Sequence, residues 1–147
     1  MKKFVFTLQS VYNVTQGEDK QLKMQLKNLE DRINYLQGEL EKLKMQYLDS
    51  KEECAREMEE GMGAEKLSQY SHFFESLTNT MILTKDNILQ AEQEKEVVIQ
   101  KRVVVQRKLK TLDNIRDRQW EEYQQDLKRE EENEIGDLVS YRTTIAN

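Results

Sequence analysis

The sequence contains no proline and only five glycines, so it lacks the residues that usually form the sharp turns of a compact domain. It has one histidine and one cysteine, and a single cysteine cannot form an internal disulfide. Aromatic residues make up only 7% of the chain, whereas charged residues make up 35%. This composition argues against a globular domain with a large core and is typical of long helices or coiled coils.

Long apolar runs are also missing. No stretch approaches the roughly 18 apolar residues that a membrane-spanning helix needs. Lys2 and Lys3 precede a short apolar stretch, Phe4–Phe6, but no small-residue cleavage site follows, so we expect no secretory signal. The net charge of -5 arises from interleaved acids and bases, without a basic stripe, and nucleic acid is therefore not an expected partner. We expect a soluble, cytoplasmic protein.

The apolar residues that are present follow the repeat of a coiled coil. In the first half, an unbroken series with alternating steps of four and three runs through Leu22, Leu26, Leu29, Ile33, Leu36, Leu40, Leu43 and Tyr47. The second half has its own series from Leu67 to Tyr123, in which polar residues occupy a minority of positions. Each series forms an apolar stripe along one side of its helix, which we call the seam. A seam with this repeat keeps facing a partner helix once the two helices supercoil.

Between the two series lies the segment Glu60-Gly61-Met62-Gly63-Ala64, whose paired glycines are the strongest helix-breaking signal in the chain. We expect helix one at about 4–60, a turn at about 61–64 and helix two at about 65–144, within one coiled-coil domain spanning residues 1–147. The expected fold is all-α: a long two-helix antiparallel coiled-coil hairpin with a C-terminal helix overhang. In such a hairpin, the numbers of two residues that face each other across the helices sum to about 124. This register places Phe4 near Trp120.

The overhang follows from the unequal lengths of the helices. Residues from about 121 onward have no partner inside the chain, because helix two is longer than helix one. This segment is heavily charged, yet it keeps Tyr123, Leu127, Ile135, Leu138 and Tyr141 at roughly helical spacing. An amphipathic helix without an internal partner must fray or bind something else.

Residues that carry chemistry are scarce. His72 has no cysteine or second histidine within a helical turn, and we expect no metal site. The chain has no phosphate-binding glycine loop, and a two-helix hairpin offers no water-excluding cleft. We therefore expect no enzymatic activity, catalytic residue, cofactor or small-molecule substrate. Cys54 falls near the seam, where we expect a packed thiol.

Three features each allow two interpretations. The β-branched runs Val97–Ile99 and Val103–Val105 widen the apolar face of helix two, either for broader packing or for a third partner. Trp120 and Tyr123 either close the coil against Phe4 or anchor a partner. Near the turn, Phe73 and Phe74 are adjacent and cannot both face the seam, so Phe73 is at least partly exposed and is a candidate docking residue.

Both ends and the turn region resemble the bacterial flagellar export protein family FliJ. The opening Met1–Tyr12 is similar to that family's pattern K-F-x-F-x-L-x-x-V-L. The segment Arg129–Leu138 resembles the family's closing segment, in which an acidic run precedes D-E-hydrophobic, although Gly136 stands where the family usually has an acid. Glu57–Met62 and the aromatic residues that follow it are similar to the family's turn region.

The resemblance implies a two-helix coiled coil similar to the rotor stalk of the F-type ATP synthase. It implies a place in the flagellar type III export apparatus, peripherally associated with the inner face of the cell membrane. The end with both termini would enter the flagellar export ATPase hexamer, and the region near the turn would contact the export gate, a membrane protein. Some members of the family also bind export chaperones.

These implications select two sets of site residues. The expected contacts with the ATPase ring are Phe4, Phe6, Leu8, Trp120, Tyr123, Leu127 and Leu138. The expected contacts with the export gate are Leu43, Gln46, Tyr47, Phe73 and Leu77, although Leu43, Tyr47 and Leu77 also fit a purely structural role in the seam. The alternative functions are a generic structural coiled-coil tether and a helical chaperone.

Overall fold

The computed structural model describes residues 2–146; Met1 and Asn147, the two ends of the expected domain, lie outside the described residues. Two helices follow one another, α1 over Gln9–Glu60 and α2 over Ala64–Ala146. The described part of the chain contains no β-strand, and both valine-rich runs lie inside α2. The two helices pack against each other as a hairpin, which confirms the all-α fold expected from the sequence.

The paired glycines form the turn. α1 ends at Glu60, and Gly61 adopts a φ of 100°, a left-handed conformation that residues with a Cβ rarely adopt. The Gly61 amide donates a hydrogen bond of 3.3 Å to the carbonyl of Met58, and the Gly63 carbonyl accepts one of 3.1 Å from the Leu67 amide. Gly61 therefore stops α1 in the manner of a helix C-cap, and α2 starts immediately after Gly63.

The beginning of α1 differs from the expected one. Helix α1 starts at Gln9 rather than near residue 4, and residues 2–6 have no regular secondary structure. Burial alternates along this segment, because Phe6 is buried and Phe4 half-buried while Val5 between them is 74% exposed. Alternation of this kind is that of an extended chain, whereas in a helix two residues that are two positions apart diverge by about 200°. The extended form lets both phenylalanines pack against the helices: Phe4 contacts Trp120 on α2, and Phe6 approaches Tyr12 on α1.

The chain forms two compact units, each containing parts of both helices. The turn unit spans Gln21–Arg102, and its buried side chains are Ile33, Cys54, Leu77, Thr84, Ala91 and Val98. Lys95 Nζ lies 3.6 Å from Glu30 Oε1, and the rings of Tyr47 and Phe74 have centroids 5.2 Å apart. These facing pairs follow the register, with numbers summing to about 124, that the two seams predict.

The terminal unit combines Met1–Lys20 with Val103–Asn147. Its buried side chains are Phe6, Thr15, Val105 and Leu112. Thr15 is a polar residue in this core, and its hydroxyl donates a 2.8 Å hydrogen bond to the carbonyl of Val11 one turn earlier. A buried hydroxyl costs little once it is hydrogen-bonded, so the seam tolerates threonine at this position.

Candidate functional site

Three aromatic rings pack together in the terminal unit. Phe4 meets Trp120 edge to face, with ring centroids 5.0 Å apart and an interplanar angle of 79°. Phe4 also lies 5.5 Å from Tyr123, and Trp120 stacks on Tyr123 at 5.6 Å. Aromatic pairs in these geometries contribute about 0.5–1.5 kcal/mol each beyond the area that they bury. The cluster closes the seam against Phe4, yet Trp120 remains 43% exposed and accessible to a partner.

Hydrogen bonds fix the N-terminal segment, residues 2–8, against α2. The Tyr123 hydroxyl donates to the carbonyl of Lys2 at 2.9 Å. Gln119 Nε2 donates to Thr7 Oγ1 at 2.9 Å, while the Thr7 amide donates to Gln119 Oε1 at 3.4 Å. Because these contacts join residues 112 and 121 positions apart in sequence, they hold a non-helical segment in one place on the helix.

A cation–π contact extends this cluster. The Arg116 guanidinium carbon lies 5.4 Å from the centre of the Tyr12 ring, and Arg116 Nη2 lies 3.2 Å from Asp113 Oδ1. Tyr12 in turn approaches Phe6, with ring centroids 6.4 Å apart. No sequence pattern predicted this contact. The contact explains how the seam accommodates Arg116, because its guanidinium lies against an aromatic ring and beside a carboxylate.

Beyond the aromatic cluster, α2 continues without a partner. Leu127 is the last half-buried residue, and every described side chain after it is exposed. The overhang therefore comprises residues 128–146 and begins later than the expected position near residue 121, because Tyr123 packs against Phe4. Its large apolar side chains are 58–65% exposed; they are Ile135, Leu138, Val139, Tyr141 and Ile145. Most of them lie three, four or seven positions apart, so the overhang presents an uncovered apolar stripe.

The overhang is also strongly acidic in its first half. Five acids fall between positions 130 and 137: Glu130, Glu131, Glu132, Glu134 and Asp137. Nearer the seam, Arg129 Nη1 lies 3.8 Å from Asp126 Oδ1, one turn earlier on the same helix. An amphipathic helix with acidic flanks suits a protein surface that offers an apolar groove with cations at its rim.

A second aromatic cluster lies in the turn unit. Phe74 contacts Tyr47 at 5.2 Å, Tyr70 at 6.1 Å and Phe73 at 6.0 Å between ring centroids. Phe74 is half-buried and Phe73 is 37% exposed, so the two neighbours divide between seam and surface as the sequence indicates. Phe73 also lines a shallow groove together with Ser50, Glu53, Glu57, Lys66, Gln69 and Tyr70.

A polar network closes the turn beside this groove. Lys66 Nζ on α2 lies 2.9 Å from Glu57 Oε2 on α1. The hydrogen bond from Lys66 lowers the pKa of the Glu57 carboxyl below its ordinary value of 4.5, with help from Tyr70 and against the effect of desolvation. Burial raises the pKa of Tyr70 to about 12, and its hydrogen bond to Glu57 acts in the same direction. This network was not predicted from the sequence, where its signal is a pair of opposite charges, Glu57 and Lys66, on either side of the glycines.

The structure separates the predicted site residues into surface and core. Phe6 and Leu77 are buried, with 6% and 7% exposure, so they pack within the protein. Five further predicted residues are half-buried along with Phe4: Leu8, Leu43, Tyr47, Tyr123 and Leu127. The exposed ones are Gln46, Phe73, Trp120 and Leu138. Gln46 and Phe73 belong to the turn unit, and Trp120 and Leu138 belong to the terminal unit.

The remaining candidates for chemistry are isolated. Cys54 is a buried free thiol, and His72 is exposed. Within residues 2–146 there is no group of three or more histidine, cysteine, aspartate or glutamate side chains arranged to hold a metal ion. In the same part of the chain, neither helix has a stretch apolar enough to span a membrane.

Comparison with known proteins identifies the family. Neither the curated proteins nor the solved structures give a significant match. The model of the family described as "FliJ: Flagellar FliJ protein" matches residues 4–144, which cover most of the N-terminal segment, the turn and nearly all of the overhang. Membership of this family implies a function related to flagellar export. The chain therefore belongs to the flagellar FliJ family.

Proposed function

We propose that this chain is a cytoplasmic stalk of the flagellar type III export apparatus, which binds the export ATPase ring with its terminal unit and the export gate with its turn unit. In this role it has no catalytic activity of its own and is peripherally associated with the inner face of the cell membrane through the apparatus. Family membership supports the general role. The observation that carries the proposal is the uncovered apolar stripe of the overhang.

The overhang is the proposed centre of the ATPase contact. Leu138 is 61% exposed at the middle of the stripe, and full burial of a leucine side chain contributes about 1.5–3 kcal/mol. Trp120, at 43% exposure, adds an aromatic anchor of the type that dominates many interfaces. Tyr123 and Leu127 connect the two along the same helix. Phe4, Phe6 and Leu8 act indirectly, because they hold the N-terminal segment in place.

The groove beside Phe73 is the proposed contact with the export gate. Phe73 lies on its rim with 37% exposure, and Gln46 on α1 is exposed in the same unit. Leu43 and Tyr47 are half-buried and Leu77 is buried, so in this proposal they act indirectly, as part of the seam of the turn unit. Export chaperones are a further proposed partner class, and Val97, which is 54% exposed outside the seam, is available for such a contact.

Activity of the cognate export ATPase tests the terminal contact. The full chain should stimulate ATP hydrolysis and co-elute with the ATPase, and Leu138→Glu should abolish both effects. Leu89→Glu is the matched control, because Leu89 is 54% exposed on the same helix but lies in the turn unit. If the wild-type chain neither stimulates nor co-elutes, the stalk proposal fails.

Binding to the cytoplasmic part of the export gate tests the turn contact. Phe73→Ala should weaken this binding by roughly tenfold, the loss expected for an aromatic anchor at an interface. Tyr35→Ala is the control, because Tyr35 is 66% exposed in the same unit and lies outside the groove. Equal binding by the wild type and the Phe73→Ala variant would remove the groove from the proposal.

A further inference from the structure

One of the two valine-rich runs leaves part of its apolar surface uncovered in the terminal unit. Val105 is buried and Val103 is half-buried, whereas Val104 between them is 51% exposed. Val104 lines an open groove between α1 and α2, and Val11, which is 50% exposed, lines the α1 side of the same groove. The groove shares no residue with the surfaces proposed for the ATPase ring and the export gate, so neither contact accounts for its exposed valines.

The polar groups that line this groove are satisfied, apart from two cations. Thr15 and Thr111 line it, but each hydroxyl donates a hydrogen bond to the backbone carbonyl one turn earlier, at 2.8 Å and 3.0 Å. Leu112 contributes a buried apolar side chain, and the basic residues of the lining are Arg107 and Lys108. Within residues 2–146, neither of these two cations forms an ion pair. The groove therefore combines an apolar surface with positive charge that lacks a carboxylate partner in this part of the chain.

This positive charge belongs to a local excess of bases in an acidic chain. Residues 97–112 contain five lysines and arginines and no acid, although the net charge of the chain is -5. Only two of the five line the groove, so the surface is not the extended basic stripe that nucleic acid requires. Both lie on α2, whereas α1 contributes Val11 and Thr15, which carry no charge. A partner should therefore carry acids on the flank that faces α2 and uncharged residues on the flank that faces α1.

The shape of the groove favours a helix as the partner. Two packed helices leave an elongated groove between them, and a third helix fills such a groove with apolar side chains spaced three and four positions apart. From Val104 to Thr111 the groove extends about 10 Å along α2, or two helical turns, at about 1.5 Å per residue. A contact of this size buries little area, so binding should be weak and should decrease as the salt concentration rises.

A second groove, in the turn unit, has the same form and a different charge. It is lined by Val97, which lies seven positions before Val104 and is 54% exposed. The charged residue that lines it is Glu94, and Gln25 and Asn28 line its α1 side. Because a carboxylate repels acids, an acidic helix should bind beside Val104 in preference to Val97. The two valines are therefore matched positions for a test.

We propose that the groove beside Val104 binds an acidic amphipathic helix of another protein, which packs as a third helix against the terminal unit. The apolar side chains of that helix contact Val11 and Val104, and its acids pair with Arg107 and Lys108. Of the two interpretations of the valine-rich runs, this one assigns Val104 to a third partner. The inference does not rest on the proposed contacts with the ring and the gate.

Binding of a labelled synthetic peptide to the full chain, measured by fluorescence anisotropy, tests the charge of the groove. The peptide is an amphipathic helix with leucines three and four positions apart and glutamates on one flank of that stripe. Lys108→Glu should weaken its binding about fivefold, because an attraction becomes a repulsion. Lys110→Glu is the matched control, since Lys110 is exposed on the same helix outside the groove and should leave binding unaltered. Absence of binding to the wild type, or equal binding by the two variants, would overturn the proposal.

Two variants and a second peptide test the apolar part of the contact. Val104→Asp should weaken binding about tenfold, because it places a charge among apolar side chains, whereas Val97→Asp should leave binding unaltered. Equal losses in these two variants would place the peptide elsewhere and contradict the proposal. A peptide of the same composition without the leucine stripe should bind far less tightly. If it binds as tightly as the amphipathic peptide, charge alone attracts both, and the groove is not a helix site.

Vesicles that contain phosphatidylglycerol test the other anionic surface that a basic, apolar region could bind. The chain should bind the amphipathic peptide and leave these vesicles unbound. Binding to the vesicles that Lys108→Glu abolishes, without binding to the peptide, would assign the surface to a lipid headgroup and overturn the proposal. None of these measurements includes the export ATPase or the gate, so this inference and the proposed function can fail separately.

Discussion

Replacing Gly61 with alanine should destabilise the hairpin, although glycine usually weakens helices. At a φ of 100°, a residue with a Cβ is about 1–2 kcal/mol less stable than glycine, by analogy with the left-handed helical region. A Cβ at this position would meet no atom within 4 Å, so the cost is backbone strain without a steric clash. Reduced freedom of the unfolded chain offsets about 0.4–1 kcal/mol. The expected net loss is therefore about 0.5–1 kcal/mol.

Gly38→Ala is the matched control. Gly38 lies in the middle of α1, where a Cβ also meets nothing within 4 Å and φ is ordinary, so alanine should stabilise the protein by about 0.5–1 kcal/mol. Urea unfolding followed by helical circular dichroism measures both changes. The signs should be opposite. If Gly61→Ala stabilises the protein as much as Gly38→Ala does, residue 61 lies in an ordinary helix and the turn is wrongly placed.

Three further perturbations probe the two units. Phe4→Ala should shift the fluorescence of Trp120, the only tryptophan, to longer wavelength and increase its quenching by iodide, because it uncovers one edge of the indole. Since Lys66 lowers the pKa of Glu57, their contact should stabilise the turn unit fully above pH 4.5 and progressively less as the pH falls below it. In thermal unfolding, Glu57→Gln should lack this part of the pH dependence, and an unchanged pH profile would refute the link. Ala91→Leu should destabilise the protein by about 1–3 kcal/mol, because Ala91 is 1% exposed and has no room for a larger side chain; a neutral result in urea unfolding would refute the tight packing.

The sequence was sufficient to predict the hairpin because two independent patterns agree on it. The heptad series give each helix one apolar seam, and a turn at the glycine pair brings the two seams into alignment. The contact between Phe4 and Trp120 follows from that alignment, and the structure places their rings 5.0 Å apart. Long, periodic patterns of this kind average over many residues, which makes them robust to single exceptions such as Thr15.

Shorter features escaped prediction for a physical reason. Phe4 and Phe6 lie two positions apart, as in an extended segment, but one pair of residues is too short a pattern to predict a departure from the helix expected from about residue 4. The contact between Glu57 and Lys66 depends on the path of the turn, which the positions of the glycines do not determine in detail. The identity of a partner does not follow from this chain alone. Binding depends on the partner's surface as much as on the exposed stripe around Leu138.

Hydrogen exchange of residues 128–146, with and without the export ATPase ring, tests the central claim most directly. In the free chain at low concentration, these amides should exchange faster than those near the buried Leu112, because the overhang is the only long part of α2 without packing contacts in the described chain. Saturating ATPase should slow exchange throughout the overhang and leave the segment around Phe73 unchanged. Protection confined to the turn unit, or none anywhere, would contradict the assignment of the overhang as the binding surface for the ring.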